Sequence, residues 1–412
     1  MIAGWAEKST AWHLTHSRAV RAVVAVLVLA TMAGCDAFVS DRASSPETPG
    51  RSPAAAPASP GENVGVGAEI AERIHSFVDP STNALFRPLR AVIIDVDGHT
   101  VLEDYYRGSS SDTSNVFSVT STVVGTLIGI ALSDGSLRSI DQTLGELLPA
   151  YAADMEPDEA AITLRQLLTM TAGFPAGHCQ CRHEPGGTDL LLATDSPPWL
   201  LSDDWVGGIL SDRLERSPGV EFAYSHASSH LLAAVLAEAT GTSVLDYARA
   251  KLFDPLGITS RPEADLLAVE ANRPAYDRAD FAWPHDPQGV QTGFSWLKLT
   301  ARDMAVFGRL YLDGGRWQGE QVVPTAWVDA ATTEQVRADS ITHGYGYQWW
   351  VTTAGGHEAY AAVGFGGQLI EVVPDLRLVA VFKADITEPD APVDPYSYVS
   401  ILSGIIQQVE NE

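Results

Sequence analysis

The sequence predicts an α+β fold: one antiparallel sheet covered by the first and last helices, with a mostly helical lobe inserted. Three observations predict it. Strand patterns occur early, at residues 89–96 and 101–106 around the turn Asp97-Gly98. Strand chemistry returns only late, at 345–351, 367–373 and 378–382. Between these groups the apolar spacing is helical, and helical spacing also opens and closes the folded chain.

Taken from its start, the chain of 412 residues opens on a targeting segment. Arg18 and Arg21 precede an apolar run over 22–34, shorter than the ~20 residues of a spanning helix. Residues 1–34 therefore read as a signal peptide. The run ends in Met32-Ala33-Gly34-Cys35, which resembles a bacterial lipobox with Cys35 as the lipidated residue. That predicts an exported, lipid-anchored chain outside the cytoplasm. Residues 35–67 shift to Pro, Ser, Ala and Gly, a composition that packs no core and reads as an extended tether.

The folded domain is expected over 68–412, with a sheet lobe at about 68–107 and 345–412 and a helical lobe at about 108–344. Ile70, Ile74 and Phe77 space a first amphipathic helix. Helical pieces follow at 144–148, 164–168, 228–239, 244–252, 300–312 and 324–332, and a last helix at 396–409. A hydrophobic content of 45% is ample for a large core. The net charge of −26 argues against nucleic acid, whose phosphates need clustered Lys and Arg.

The chemistry centres on Phe117-Ser118-Val119-Thr120-Ser121 and the apolar run to Gly135. Val123, Val124, Leu127, Ile128 and Ala131 fill helical spacings on a helix that reads as buried. Taken alone, Ser118, Thr120 and Ser121 form an N-cap cluster where free N–H groups gather. Ser118-Val119-Thr120 with Leu127-Ile128-Gly129-Ile130-Ala131 also resembles the nucleophile helix of serine β-lactamase-related hydrolases. These include class C β-lactamases, D-alanyl-D-alanine peptidases and esterases. The resemblance covers nearly all of 68–412. It implies a β-lactamase-like fold, a site in the cleft between sheet and lobe, and Ser118 as the nucleophile. It implies no cofactor, no metal, and a small-molecule ester, amide or peptide substrate.

Two further motifs match. Pro218-Gly219-Val220-Glu221-Phe222-Ala223-Tyr224-Ser225-His226 resembles the family's P-G-x-x-F-x-Y-S-N, which makes Tyr224 a general base or proton relay and puts His226 at the Asn position. Gly364-Phe365-Gly366-Gly367-Gln368 resembles the glycine-rich edge strand, where Gly366, Gly367 and Gln368 would meet substrate and supply an N–H to pair with that of Ser118. Asp286-Pro287-Gln288-Gly289 and Leu299-Thr300-Ala301-Arg302-Asp303-Met304 add to the family likeness.

One position departs. The family motif is S-x-x-K, and here the fourth residue is Ser121, which relays a proton but holds no cation. Lys383, at a strand end, either reaches the cleft or stays solvated. His226 either moves protons, as imidazole does near neutral pH, or hydrogen-bonds in the pocket wall. Cys179 and Cys181, between His178 and His183, read as an exposed insertion rather than a zinc site, whose cysteine pairs are spaced more widely. Two functions stay open: a Ser118 acyl-enzyme hydrolase, or a catalytically silent surface lipoprotein that keeps the cleft for binding or sensing.

Overall fold

The computed structural model describes residues 62–78, 86–176, 197–338, 344–385 and 395–411. Cys35 with its leader, most of the tether, and the loop of Cys179 and Cys181 lie outside them. The described residues belong to one unit, Ala58–Glu412.

Twelve strands are described. β1 (Leu89–Val96) and β2 (His99–Tyr105) form the first hairpin. The two-residue β3 (Ser114–Asn115) pairs with β4 (Lys298–Leu299), and β5 (Arg316–Trp317) with β6 (Glu320–Gln321). Then come β7 (Val336–Arg337), β8 (Gly344–Tyr345), β9 (Trp350–Ala354), β10 (His357–Gly364), β11 (Gln368–Val373) and β12 (Leu378–Ala384). Eight of the twelve build one sheet in the order β2-β1-β12-β11-β10-β9-β8-β7. Every pairing in it is antiparallel.

The period of two along these strands sets which side each residue serves. Val92, Ile94, Leu369, Val373, Leu378, Ala380 and Phe382 pack with Ile70 and Ile74 of the helix Glu62–Phe77 and with Tyr398, Leu402 and Ile406 of the helix Pro395–Glu410. Ile93, Ile370, Val372, Val379 and Val381 face the other way, into a larger core with Val123, Leu127, Met304 and Phe307. Both terminal helices thus cover one face, and the helical lobe grows from the other.

The structure enlarges the expected sheet. β10 was not expected: its sequence HEAYAAVG holds three alanines and little of the β-branched signal that marks strands. It forms because neighbours on both sides supply hydrogen bonds and small side chains fit beneath the terminal helices. The strand expected at 345–351 is split between β8 and β9. The first helix starts at Glu62, within the stretch read as tether, because Gly65 and Gly67 hide the helical signal. The helix expected at 228–239 begins two residues earlier, as His226–Thr240, which puts His226 in its first turn.

The helix Val119–Asp134 runs through the larger core with every residue from Val119 to Ala131 buried. Gly129 lets it pack tightly, since a methyl there would overlap the Trp327 indole. Its far end is pinned at Asp134, which accepts from Tyr247 Oη (2.9 Å) and pairs with Lys251 Nζ (2.9 Å). A left-handed Gly135 (φ 84°) then closes it.

Candidate active site

Ser118 precedes the first residue of that helix, and the backbone leading to it is strained. Phe117 has φ 48°, a left-handed conformation that is costly for a bulky side chain. The surroundings hold it there. Asn115 Oδ1 accepts from Phe117 N (2.8 Å) and from Trp296 N (2.8 Å), so one carboxamide ties the approach to Ser118 to a second loop. Trp296 is itself left-handed, at φ 74°. The Phe117 ring meets Phe365 edge-on at 5.6 Å. Among the described residues the Ser118 N–H has no acceptor, so it is available to a developing oxyanion.

Tyr224 arrives on the loop before the His226–Thr240 helix. Gly219 N donates to Thr171 O (2.7 Å) and Ala223 N to Met170 O (2.8 Å), which fixes that loop on its neighbour. The phenol is half-buried with the Ser118 and Ser121 hydroxyls beside it. Burial raises its pKa above the ordinary value; the two hydroxyls favour the anion without overcoming burial. Ser121, 2% exposed, donates its one proton to Ser118 O (2.8 Å). In that arrangement its oxygen accepts from the neutral phenol, and it favours the phenolate only when the same proton turns from Ser118 O to Tyr224. Ser118, Ser121 and Tyr224 are therefore brought together.

His226 is near but not joined to them. Its ring stacks on Phe294 (4.9 Å, 21°) and meets Tyr224 edge-on at 6.1 Å. Burial lowers its pKa to about 4, which leaves the imidazole neutral at physiological pH. Among the described residues it makes no hydrogen bond to Ser118.

The turn from β10 to β11 lies against the same approach. A Cβ at Gly364 would collide with Val116 O, two residues before Ser118, and Phe365 packs on Phe117. Gly366 and Gly367 carry the turn at φ 71° and 92°. Gly367 faces the Tyr398 ring, and Gln368 sends its Nε2 to Ala384 O (2.9 Å). Gly364 and Phe365 are thus in contact with the nucleophile segment, just ahead of the trio the sequence singles out.

Lys383 does not supply the missing cation. It is 2% exposed, and its ammonium donates to Leu299 O (2.7 Å) and Ser114 O (3.3 Å), which fastens β3 and β4 to the main sheet. Burial holds its pKa down to about 7. The reading of a solvated strand end is also corrected: its place in the alternation points it inward.

Three features escaped the sequence reading. One is Asn115. The second is an aromatic wall, in which Trp350 stacks on Tyr224 (5.8 Å, 17°) and Tyr345 meets it edge-on (6.3 Å). The aromatic run Tyr345-Gly346-Tyr347-Gln348-Trp349-Trp350 was its available signal. The third is a fully buried pair, His230 Nε2 and Asp286 Oδ2 at 3.0 Å. Asp286 Oδ1 also accepts from Gln288 N and Val290 N, both at 2.8 Å. The Asp286-Pro287-Gln288-Gly289 motif is thus a loop built on its own carboxylate.

Comparison with known proteins agrees with this architecture. The chain is similar to the 6-aminohexanoate-dimer hydrolase of Paenarthrobacter ureafaciens, with 26% identity over 318 residues, 71% of this chain and 72% of that protein. Among solved structures it resembles the octameric penicillin-binding protein homologue from Pyrococcus abyssi (TM-score 0.62, 18% identity, 83% of this chain and 77% of that one). It also resembles the penicillin binding protein from Bacillus halodurans (TM-score 0.57, 16% identity, 81% and 99%). At such identities these two likenesses speak for the fold alone. The family model described as Beta-lactamase matches residues 83–402, from ahead of β1 into the last helix. Over that span the chain belongs to the Beta-lactamase family.

Proposed function

We propose that the chain is a serine acyl hydrolase acting on a small ester or amide through Ser118. The observation that carries this is the meeting of the Ser118 hydroxyl, its acceptor-free N–H and the Tyr224 phenol at the start of a buried helix. Ser118 Oγ forms the bond to the carbonyl carbon, and its proton passes to Tyr224 in its phenolate form, which becomes the phenol. Tyr224 returns a proton to the departing alcohol or amine as the C–O or C–N bond breaks. Water then attacks the acyl-enzyme and regenerates Ser118. The Ser118 N–H and an N–H from the Gly364–Gln368 turn hold the oxyanion. An amide suits this reading, since the relative is named for an aminohexanoate dimer. Cys35 carries the lipid anchor that places the domain outside the cytoplasm.

A second reading has its own support. With Ser121 in place of lysine and Lys383 bound to backbone carbonyls, no described amine stands beside Ser118. A silent domain that keeps the cleft for binding fits those facts. Peptide mapping after treatment with a fluorophosphonate separates the two. The hydrolase reading requires a single adduct, on Ser118; absence of any adduct supports the binding module.

A further inference from the structure

The chain enters the nucleophile helix through a small structure of its own. β3 and β4 stand outside the eight-stranded sheet and pair Ser114 with Leu299 and Asn115 with Lys298. So short a ladder is not stable alone. Lys383 supports it from the main sheet. β12 carries this lysine in register with Ala91 of β1. Its ammonium donates to Leu299 O (2.7 Å) and Ser114 O (3.3 Å), the two carbonyls of a single rung. Val116 N extends the ladder by donating to Leu297 O (2.9 Å).

Asn115 passes that fixed position on to the nucleophile. Its Oδ1 accepts from Phe117 N and Trp296 N, each at 2.8 Å, and its Nδ2 donates to Ser295 Oγ (3.3 Å). The bond to Phe117 closes over two residues, as Asn side chains do in turns. It holds Phe117 at φ 48°, a conformation that costs a residue with a side chain about 1–3 kcal/mol. The peptide plane between Phe117 and Ser118 carries the Ser118 N–H, and the Phe117 torsions set the direction of that plane. A plane turned out of line takes the donor away from the place where an oxyanion forms.

We propose that Asn115 is a positioning residue for acyl transfer: with its strand clamped by Lys383, its carboxamide holds Phe117 left-handed and so aims the Ser118 N–H at the oxyanion. The proposal rests on the hydrolase reading and gives that reaction a residue outside its motifs.

The test is single-turnover acylation of the full chain by p-nitrophenyl acetate, which yields the acylation rate and the substrate dissociation constant separately, with Tm measured on each variant. Asn115→Leu keeps roughly the size of the side chain and removes the acceptor. It should slow acylation by about 10²–10³, the usual worth of one oxyanion donor, while the dissociation constant changes less than about threefold. Asn115→Asp keeps an acceptor in the same place and should recover most of the rate. Phe117→Gly removes the strain that Asn115 opposes, so in that background Asn115→Leu should cost about tenfold less. If Asn115→Leu does not fold, Asn115→Ala, which adds no bulk, is read in its place. A folded variant without the acceptor that acylates at the native rate overturns the proposal, as does an equal cost with and without Phe117→Gly. A native chain that takes no label on Ser118 from a fluorophosphonate overturns the hydrolase reading itself, and the positioning role with it.

Discussion

Ser121 Oγ donates to Ser118 O at 2.8 Å, across the turn where relatives place a lysine amine. That bond takes up the only proton Ser121 has and returns it to the backbone, not to the nucleophile. The Ser118, Ser121 and Tyr224 cluster lacks a cation, and a proton transfer through Tyr224 would have to work with a pKa raised by burial.

Restoring an amine should therefore raise reactivity. Ser121→Lys would place an ammonium at i+3 from Ser118, lowering the Tyr224 pKa and offering a base. Acylation by p-nitrophenyl acetate should increase by about 10²–10⁴, the usual worth of general-base help. A folded variant with an unchanged acylation rate would show that the missing cation is not what limits the site.

The native rate should climb with pH. Burial raises the Tyr224 pKa, so the phenolate fraction below that value grows about tenfold per pH unit. His226, lowered to about 4, is already neutral above pH 5 and contributes no inflection between pH 6 and 8. The acylation rate should rise steadily from pH 7 to 10, and His226→Ala should change it less than tenfold. A break near pH 6.5 that disappears in His226→Ala would make the imidazole the base instead.

Glu371 is fully buried in β11, and neither of its carboxyl oxygens has a hydrogen-bond partner. Burial raises its pKa well above normal, so the folded chain keeps a proton that the unfolded chain loses above about pH 4.5. Its stability contribution is present below that pH and is lost as pH rises towards the folded value. Glu371→Leu should stabilise the domain by about 1–3 kcal/mol at pH 8 and flatten this pH dependence. Denaturant melts at pH 5 and pH 8 measure both effects; a variant less stable at pH 8 would refute the assignment.

The His230–Asp286 pair should behave as structure, not as chemistry. Asp286→Ala leaves a buried imidazole and two loop N–H groups without their acceptor. The expected loss is about 3–5 kcal/mol of stability. A Tm unchanged by the substitution would mean the loop is held by other contacts.

Much of the fold was legible because two periodicities dominate it. Alternation in β1, β11 and β12 sorts residues between the two cores, and the helix after Ser118 carries an apolar run from Val123 to Leu132 broken only by Thr126. β10 was hidden because alanines carry little strand preference, and its place is set by long-range pairing with β9 and β11. At the site, Ser118 and Tyr224 were legible from motifs. Asn115 was not, because its role depends on Trp296, 181 residues away in sequence. Lys383 was ambiguous for a related reason: a strand end shows its direction only once the strand is in register with β1.

The central claim is that Tyr224 moves the proton of Ser118. The most direct test compares phosphonylation rates of the native chain and Tyr224→Phe at pH 9, with Tm measured on both. Removing one hydroxyl should slow labelling of Ser118 by roughly a hundredfold or more while Tm stays within a few degrees. Equal labelling rates in two equally folded proteins would contradict the account.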